Sequence, residues 1–331
     1  MSLIRNDYWT FRVFDYPRLQ KFVLSVICLM LVSYFYNKYD MVFWVLIGAI
    51  SINLLYLAYL IFPFTIFGKK QVIKAKNSIP DQSISIMISN VYQYNNNTNG
   101  CLQEVKKANP DIVFLLETDK KWEEGTKELK EKYPYHILVP KENTYGMLFY
   151  SKLELKDYKV DYIVEDNVPS IHTKVVLKSG KEIIIHGVHP TPPAPGENIK
   201  STERDKELLI VADIAKEEKL PVIVIGDLND VAWSHTTKLF LKMSGLLDPR
   251  RGRGFFNSFH ARYPFLRFPL DHAFISPDFK LNAIKRLSNF GSDHFPIYIS
   301  VQYEAKADSE QEEMHADPDD IQEAEEKKSK E

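Results

Sequence analysis

Apolar side chains fall along this chain in three regimes. Up to Phe64 they form two nearly unbroken runs, FVLSVICLMLVSYFY (Phe22–Tyr36) and MVFWVLIGAISINLLYLAYLIFPF (Met41–Phe64), separated only by NKYD. Neither run shows a polar face at helical spacing, which disfavours a buried soluble hairpin. Crossing the hydrocarbon takes ~20 apolar residues. The second run has that length. Leu19 extends the first, and Lys21 can snorkel to the headgroups. Tyr34, Tyr36 and Trp44 suit the interface. The pattern predicts two transmembrane helices over 19–66, preceded by an N-terminal segment, 1–18. A signal peptide fits less well, because the apolar stretch is doubled, too long, and followed by no small-residue cleavage site.

From residue 83 to 303 the pattern changes to short β-rich runs: SISIMISNV, DIVFLLE, GMLFYS, HTKVVLK, EIIIHGVH, PVIVIGDLN, LDHAFIS and FPIYISV. Helical spacing recurs among them at GCLQEVKKAN, KKWEEGTKELKEKY, STERDKELLIVADIAKEE and HTTKLFLKMSG. Several strands are apolar on both faces, so both faces should be covered. Strands joined by helices in some places and short turns in others predict mixed sheets in an α/β layered fold. Residues 67–82 read as a linker. Residues 304–331 are charged and poor in large apolar side chains, and read as an acidic disordered tail.

Charge sharpens this division. The net charge of −2 conceals five basic and three acidic residues in 1–66, 33 and 29 in 67–303, and four and twelve in 304–331. Arg5, Arg12, Arg18 and Lys21 precede the apolar hairpin, and Lys69, Lys70, Lys74 and Lys76 follow it. The turn holds only Lys38, offset by Asp40. The positive-inside rule therefore places both ends in the cytoplasm. The two cysteines, Cys28 and Cys101, make no disulfide framework.

Polar residues gather where the apolar strands stop. ISIMISNV reaches Asn90, IVFLLETD reaches Glu117, IIIHGVHPTPP reaches His189, and VIVIGDLND reaches Asp227 and Asn229. PLDHAFIS begins on Asp271, and NFGSDHFPI places Asp293 and His294 before its strand. Together these are metal ligands, proton carriers and oxyanion donors. Strand alternation would aim Asp227 and Asn229 the same way, with Leu228 pointing into the core.

In this order the motifs resemble the endonuclease/exonuclease/phosphatase superfamily, the group of pancreatic deoxyribonuclease, in a membrane-anchored, bacterial-type form. The resemblance runs from about Ser85 to Val301 and rests on SNV, LLETD, YGMLFYSK, HPTPP, GDLND, LDHAFIS and GSDHFPI. It implies a four-layer α/β/β/α sandwich with two mixed sheets and the active site at one end of both. It also implies Mg²⁺, with Mn²⁺ as a substitute, held by Glu117 and Asn90 and also by Asp293. Hydrogen-bonding roles fall to His189 and Asn229, a dyad to Asp271 with His294, and the water proton to Asp227 or His294. Membrane-anchored relatives carry this domain outside the cytoplasm, which leaves its side open.

Plainer readings stand beside these. His186 and His272 read as core or rim histidines, Asp230 as a turn residue, and Asp119 as a helix cap. Arg204 reads as part of a solvated helix face that could still reach a phosphate. The loop PRRGRGFFNSFHARYPFLRFP interleaves Arg250, Arg251, Arg253, Arg262 and Arg267 with aromatics. It suits nucleic acid or anionic lipid headgroups, or a basic loop pinned by core aromatics. The expectation is a membrane-anchored metal-dependent phosphoesterase acting on nucleic acid, a nucleotide or a lipid headgroup. The alternative is a non-catalytic membrane scaffold that keeps the fold.

Overall fold

The structure is a computed structural model and describes residues 6–36 and 38–330. The flanking charge Arg5 lies outside the described residues. In chain order the elements are α1 (Trp9–Arg12), α2 (Arg18–Phe35), α3 (Met41–Ile61), β1 (Ser83–Asn90), α4 (Thr98–Ala108), β2 (Ile112–Leu116), α5 (Lys120–Gly125) and α6 (Leu129–Lys132). Then come β3 (Tyr135–Val139), β4 (Met147–Ser151), β5 (Leu155–Asp161), β6 (Ser170–Val176), β7 (Glu182–Val188), α7 (Thr202–Glu217), β8 (Val222–Asp227) and α8 (His235–Ser244). The chain closes with β9 (Asp271–Ile275), β10 (Phe279–Arg286), β11 (Ile297–Tyr303) and α9 (Pro318–Ser329).

Two mixed sheets form, ordered β10-β11-β1-β2-β4-β3 and β5-β6-β7-β8-β9. The pairs β1–β2 and β7–β8 are parallel, and the other pairs are antiparallel. Doubly apolar strands explain the layering. On β8, Ile223 and Ile225 enter the central layer between the sheets, while Val222 and Val224 pack with Leu208, Val211 and Ala212 of α7 and Phe240 of α8. On β1, Ile84, Ile86 and Ile88 face the central layer, and Met87 packs with Cys101 and Val105 of α4 and Trp122 of α5. The result is the expected α/β/β/α sandwich. Four buried aliphatics on β8 contribute about 6–12 kcal/mol. That offsets the several kcal/mol that burying a carboxylate at the strand end costs.

The helices α2 and α3 pack antiparallel and share a hydrogen bond from Asn53 Nδ2 to Ser25 Oγ, 2.9 Å. Both are long and apolar enough to cross a membrane. Their roots are built into the sandwich. Arg18 donates to the Trp233 carbonyl, the Trp233 indole donates to the Asp15 carbonyl at 2.8 Å, and the Phe64 ring meets Trp233 edge-on. The segment ahead of α2 also docks, through Trp9 N to Ile199 O and Ser201 N to Asp7 O.

Two expectations about the ends are corrected. The linker is packed: Val72 is buried in the central layer, and Ile73 and Ala75 bond the Leu281 backbone beside β10. The tail is ordered, with α9 capped by an Asp317–Asp320 capping box. Lys327 pairs with Asp205, Lys328 with Asp213, Lys242 with Asp320, and His235 with Glu323. Ala324 is buried against Leu209 and Leu239. A tail poor in large apolar residues orders because its charges meet complementary charges on α7 and α8, a match invisible within its own sequence.

Candidate active site

The ends of β1, β2, β7 and β8 and the start of β9 bring the expected polar residues to one edge of both sheets. Asp227 and Asp271 are paired across β8 and β9. Gly226 makes this edge close-packed: its φ is +151°, and an added Cβ would lie 1.8 Å from the Val188 carbonyl oxygen. The chain then leaves the strand. Asn229 has φ +49°, so strand alternation stops at Asp227. The expected side-by-side projection of Asp227 and Asn229 is replaced by a turn. Within it the Asn229 N–H donates to Asp227 Oδ1 at 3.0 Å and the Asn229 amide donates to the Pro190 carbonyl at 3.0 Å.

Asn90 bridges the two sheets. Its amide donates to Glu117 Oε1 at 2.7 Å and to Asp227 Oδ2 at 3.1 Å, and its carbonyl oxygen accepts from Tyr92 N–H. Glu117 sits at φ +57°, a left-handed backbone that is costly for a non-glycine residue and clusters at functional sites. Burial pushes its carboxyl up to about 7. His294 Nδ1 bonds Asp271 Oδ2 at 2.7 Å, and its Nε2 lies 3.6 Å from Asp227 Oδ2. Burial disfavours the imidazolium, but Asp271 and Asp227 outweigh burial and raise the group to about 10. Burial raises Asp227 as well. His189 is buried beside the Tyr145 ring, is pushed down to about 4 by burial, and its Nδ1 has no protein partner. Asp271 Oδ1 is likewise buried without one. Asp293 is half-buried beside His294.

The donor set suits a divalent cation. Among the described residues neither Glu117 nor Asp227 is paired with a lysine or arginine. Asp227, Asp271 and His294 also offer ligand atoms that all lie within 4.8 Å of one another. Glu117 and Asp227, with no lysine or arginine partner and with His294 as the basic group between Asp227 and Asp271, leave negative charge that a hard, oxygen-seeking cation neutralises.

The proposed arginine contacts are corrected. Arg250 is buried, forks onto Asp248 at 2.9 and 2.8 Å, and touches His272 Nδ1. Arg251 lies over Phe64, and Arg253 donates to the Val72 and Pro249 carbonyls. Arg251 and Arg253 thereby latch the root of α3 and the linker, and Arg250 braces its own loop against the start of β9. Arg204 is buried rather than solvated, bonded to Asp205 and to the Asn229 carbonyl at 2.8 Å, behind the Asp227–Asn229 turn. Asp119 caps α5 through Trp122 N, and His186 pairs with His172 in the interior.

Several site neighbours carry no sequence signal. The Tyr16 hydroxyl donates to the Asn229 carbonyl at 2.8 Å across 213 positions. The Phe259 ring lies 4.9 Å from His294, and the Arg262 guanidinium lies over Tyr92. Only the packed chain brings them there.

A sequence model of the Endonuclease/Exonuclease/phosphatase family matches residues 87–294, well over half of the chain. The chain belongs to the endonuclease/exonuclease/phosphatase family. The family's members are hydrolases of phosphate esters, and this chain carries their fold with a carboxylate–histidine cluster at the expected edge. Solved structures agree in fold. D. rerio TDP2, complexed with a single-strand DNA product, is 17% identical with a TM-score of 0.55, covering 67% of this chain and all of that one. The human Nocturnin catalytic domain, with bound sulfate, is 19% identical with a TM-score of 0.55, covering 69% and 96%. An endonuclease/exonuclease/phosphatase from Beutenbergia cavernae is 15% identical with a TM-score of 0.54, covering 67% and 72%. No curated protein matches the sequence.

Proposed function

We propose that this protein is a membrane-anchored, Mg²⁺-dependent phosphoesterase that hydrolyses a phosphodiester or phosphate ester by attack of water. The observation that carries the reading is the convergence of Asn90, Glu117, His189, Asp227, Asp271 and His294 at one sheet edge, with His189 Nδ1 and Asp271 Oδ1 left without protein partners. Glu117 and Asn90 are the residues that would hold the cation, with Asp293 beside them. When bound, a divalent cation supplies charge neutralisation on the phosphoryl oxygens.

The chain's own groups divide the remaining work. His294 is held as an imidazolium between two carboxylates, so it serves as a donor to a phosphoryl or leaving oxygen. Asp227, 3.6 Å from it and raised by burial, is the better base for the water proton. His189 is neutral at pH 7 and can donate one ring N–H to a phosphate oxygen. The apolar hairpin spans a lipid bilayer in this reading, and flanking charge puts the catalytic sandwich on the cytoplasmic face.

The test is hydrolysis of bis(p-nitrophenyl) phosphate by the full chain, with Mg²⁺, with Mn²⁺ and with EDTA. Activity is expected only with metal, and Asp227→Ala and His294→Ala should lose at least a hundredfold. Full activity in EDTA, or in either variant, overturns the mechanism. Inactivity on a broad panel of esters, with the fold intact, would leave the scaffold reading.

A further inference from the structure

Between the Phe259–Phe268 bridge and its far end, residues 259–268 form a short hairpin that links the active site to the root of α2. Its base is at the chemistry. The Phe259 ring lies 4.9 Å from His294, and Ala261 N–H donates to the Asp293 carbonyl at 2.6 Å. Its tip is apolar and open: Arg262 to Leu266 are all exposed, and Phe265 is 87% accessible. A phenylalanine that exposed, beside Tyr263 and Leu266, is a patch in search of an apolar partner.

The occupant is indicated by where the tip sits. Gln20 Nε2, in the first turn of α2, donates to the Phe265 carbonyl at 3.0 Å. Three residues further along α2 the exposed apolar surface begins at Val23, about 4.5 Å deeper by helical rise. The Phe265 side chain thus starts at the level where the apolar span begins, the depth aromatic residues favour in a bilayer. Arg262, exposed beside it, adds the basic charge that an interfacial element presents to anionic lipid, while Arg267 braces the hairpin against the Phe295 ring.

We propose that Tyr263–Leu266 is a wedge seated in the headgroup layer of the bilayer, and that it turns the site towards phosphate esters carried by membrane-lipid headgroups. The hairpin is compact, closed by turn bonds from Tyr263 N to the His260 carbonyl and from Leu266 N to the Tyr263 carbonyl, so a tip at the headgroup layer keeps its base, and His294 beside it, close to that layer. The inference rests on the phosphoesterase reading of the site and on the bilayer-spanning reading of α2 and α3.

The experiment uses the full chain in nanodiscs of phosphatidylcholine and phosphatidylglycerol. In a Cys28→Ser background, with Cys101 buried, Phe265→Cys takes an environment-sensitive fluorophore, and spin-labelled lipids serve as quencher. Strong quenching, absent at a matched probe on exposed Lys120, is expected. A probe at 265 quenched no more than at 120 overturns the wedge, whatever the activity. Separately, Phe265→Ser/Leu266→Ser is compared with the wild type on bis(p-nitrophenyl) phosphate, on phosphatidylglycerol, sphingomyelin and phosphoinositides in the disc, and on single-stranded DNA. At least a tenfold loss on a lipid ester is expected, with the soluble ester within twofold. Equal lipid turnover in wild type and variant, or DNA cleaved while every lipid is spared, overturns the substrate class. If the wild type hydrolyses nothing, the phosphoesterase reading fails, and the quenching result still decides the wedge.

Discussion

At the scale of single residues the site holds carboxylates at a cost in burial that a bound cation would relieve. Glu117 is the clearest case. Its folded value of about 7 lies above the unfolded 4.5, so the metal-free folded state binds the extra proton between those values. Metal-free stability therefore falls as pH rises through that window, by up to about 3 kcal/mol at pH 8. Glu117→Gln should raise the metal-free melting temperature at pH 8 and abolish the rise that Mg²⁺ gives the wild type. Calorimetry with and without EDTA decides it, and an undiminished Mg²⁺ shift in the variant would remove Glu117 from the cation site. Asp271→Asn keeps the shape but takes away the carboxylate that holds His294 charged. A kcat loss of roughly 10²-fold or more is expected in the ester assay, with KM little changed. Tyr16→Phe removes one of two donors to the Asn229 carbonyl, worth about 1 kcal/mol. A several-fold lower kcat without loss of fold is the expected outcome, and an unaltered kcat would show that Arg204 suffices.

At the scale of elements, α9 is a helix held by charge rather than by apolar area. Burial alone would raise the Asp205 carboxyl, but Arg204, Lys327 and Arg12 outweigh it and hold it well below the usual 3.8. A depressed folded value stabilises above the unfolded one, and that stabilisation drains away as pH falls below 3.8. Lys327→Met should destabilise by about 1–3 kcal/mol near pH 7. The gap from the wild type should narrow at pH 3, as melting curves at both pH values can show. Eight strands and the helices α4, α7 and α8 were legible beforehand, because their apolar positions repeat at strand or helix period. The edge strands β3, β5 and β10 were not, since an edge carries polar and charged side chains where a core strand carries isoleucine, as LKDYKVD in β5 does.

At the scale of the whole molecule, the apolar hairpin and the sandwich are one construction. Trp233, close behind the Asp227–Asn229 turn, is gripped by Asp15, Arg18 and Phe64, while the linker packs beside β10 and α9 packs on α7 and α8. A fragment limited to 83–303 loses Tyr16, Phe64, Val72 and Lys327 together. It should express as aggregated or weakly active protein, whereas the full chain in detergent or nanodiscs keeps activity. Comparable specific activity from the two would show that the anchor is only a tether.

The sequence by itself determined the layered α/β fold, the two apolar helices and the polar residues that end the strands, because burial on both strand faces and polar strand ends are written in local order. It misread Arg250, Arg251, Arg253, Arg204 and the tail, since a charge looks solvated until its partner is known. The Phe64 ring that meets Arg251, the Val72 and Asn229 carbonyls that meet Arg253 and Arg204, and the α7 carboxylates that meet the tail all lie on other elements. Only the tertiary structure decided those pairings, broke the strand at Asn229, and carried Tyr16 and Phe259 to the edge where Asp227 and His294 meet. Each depends on contacts between segments far apart in the chain, where no periodicity reaches.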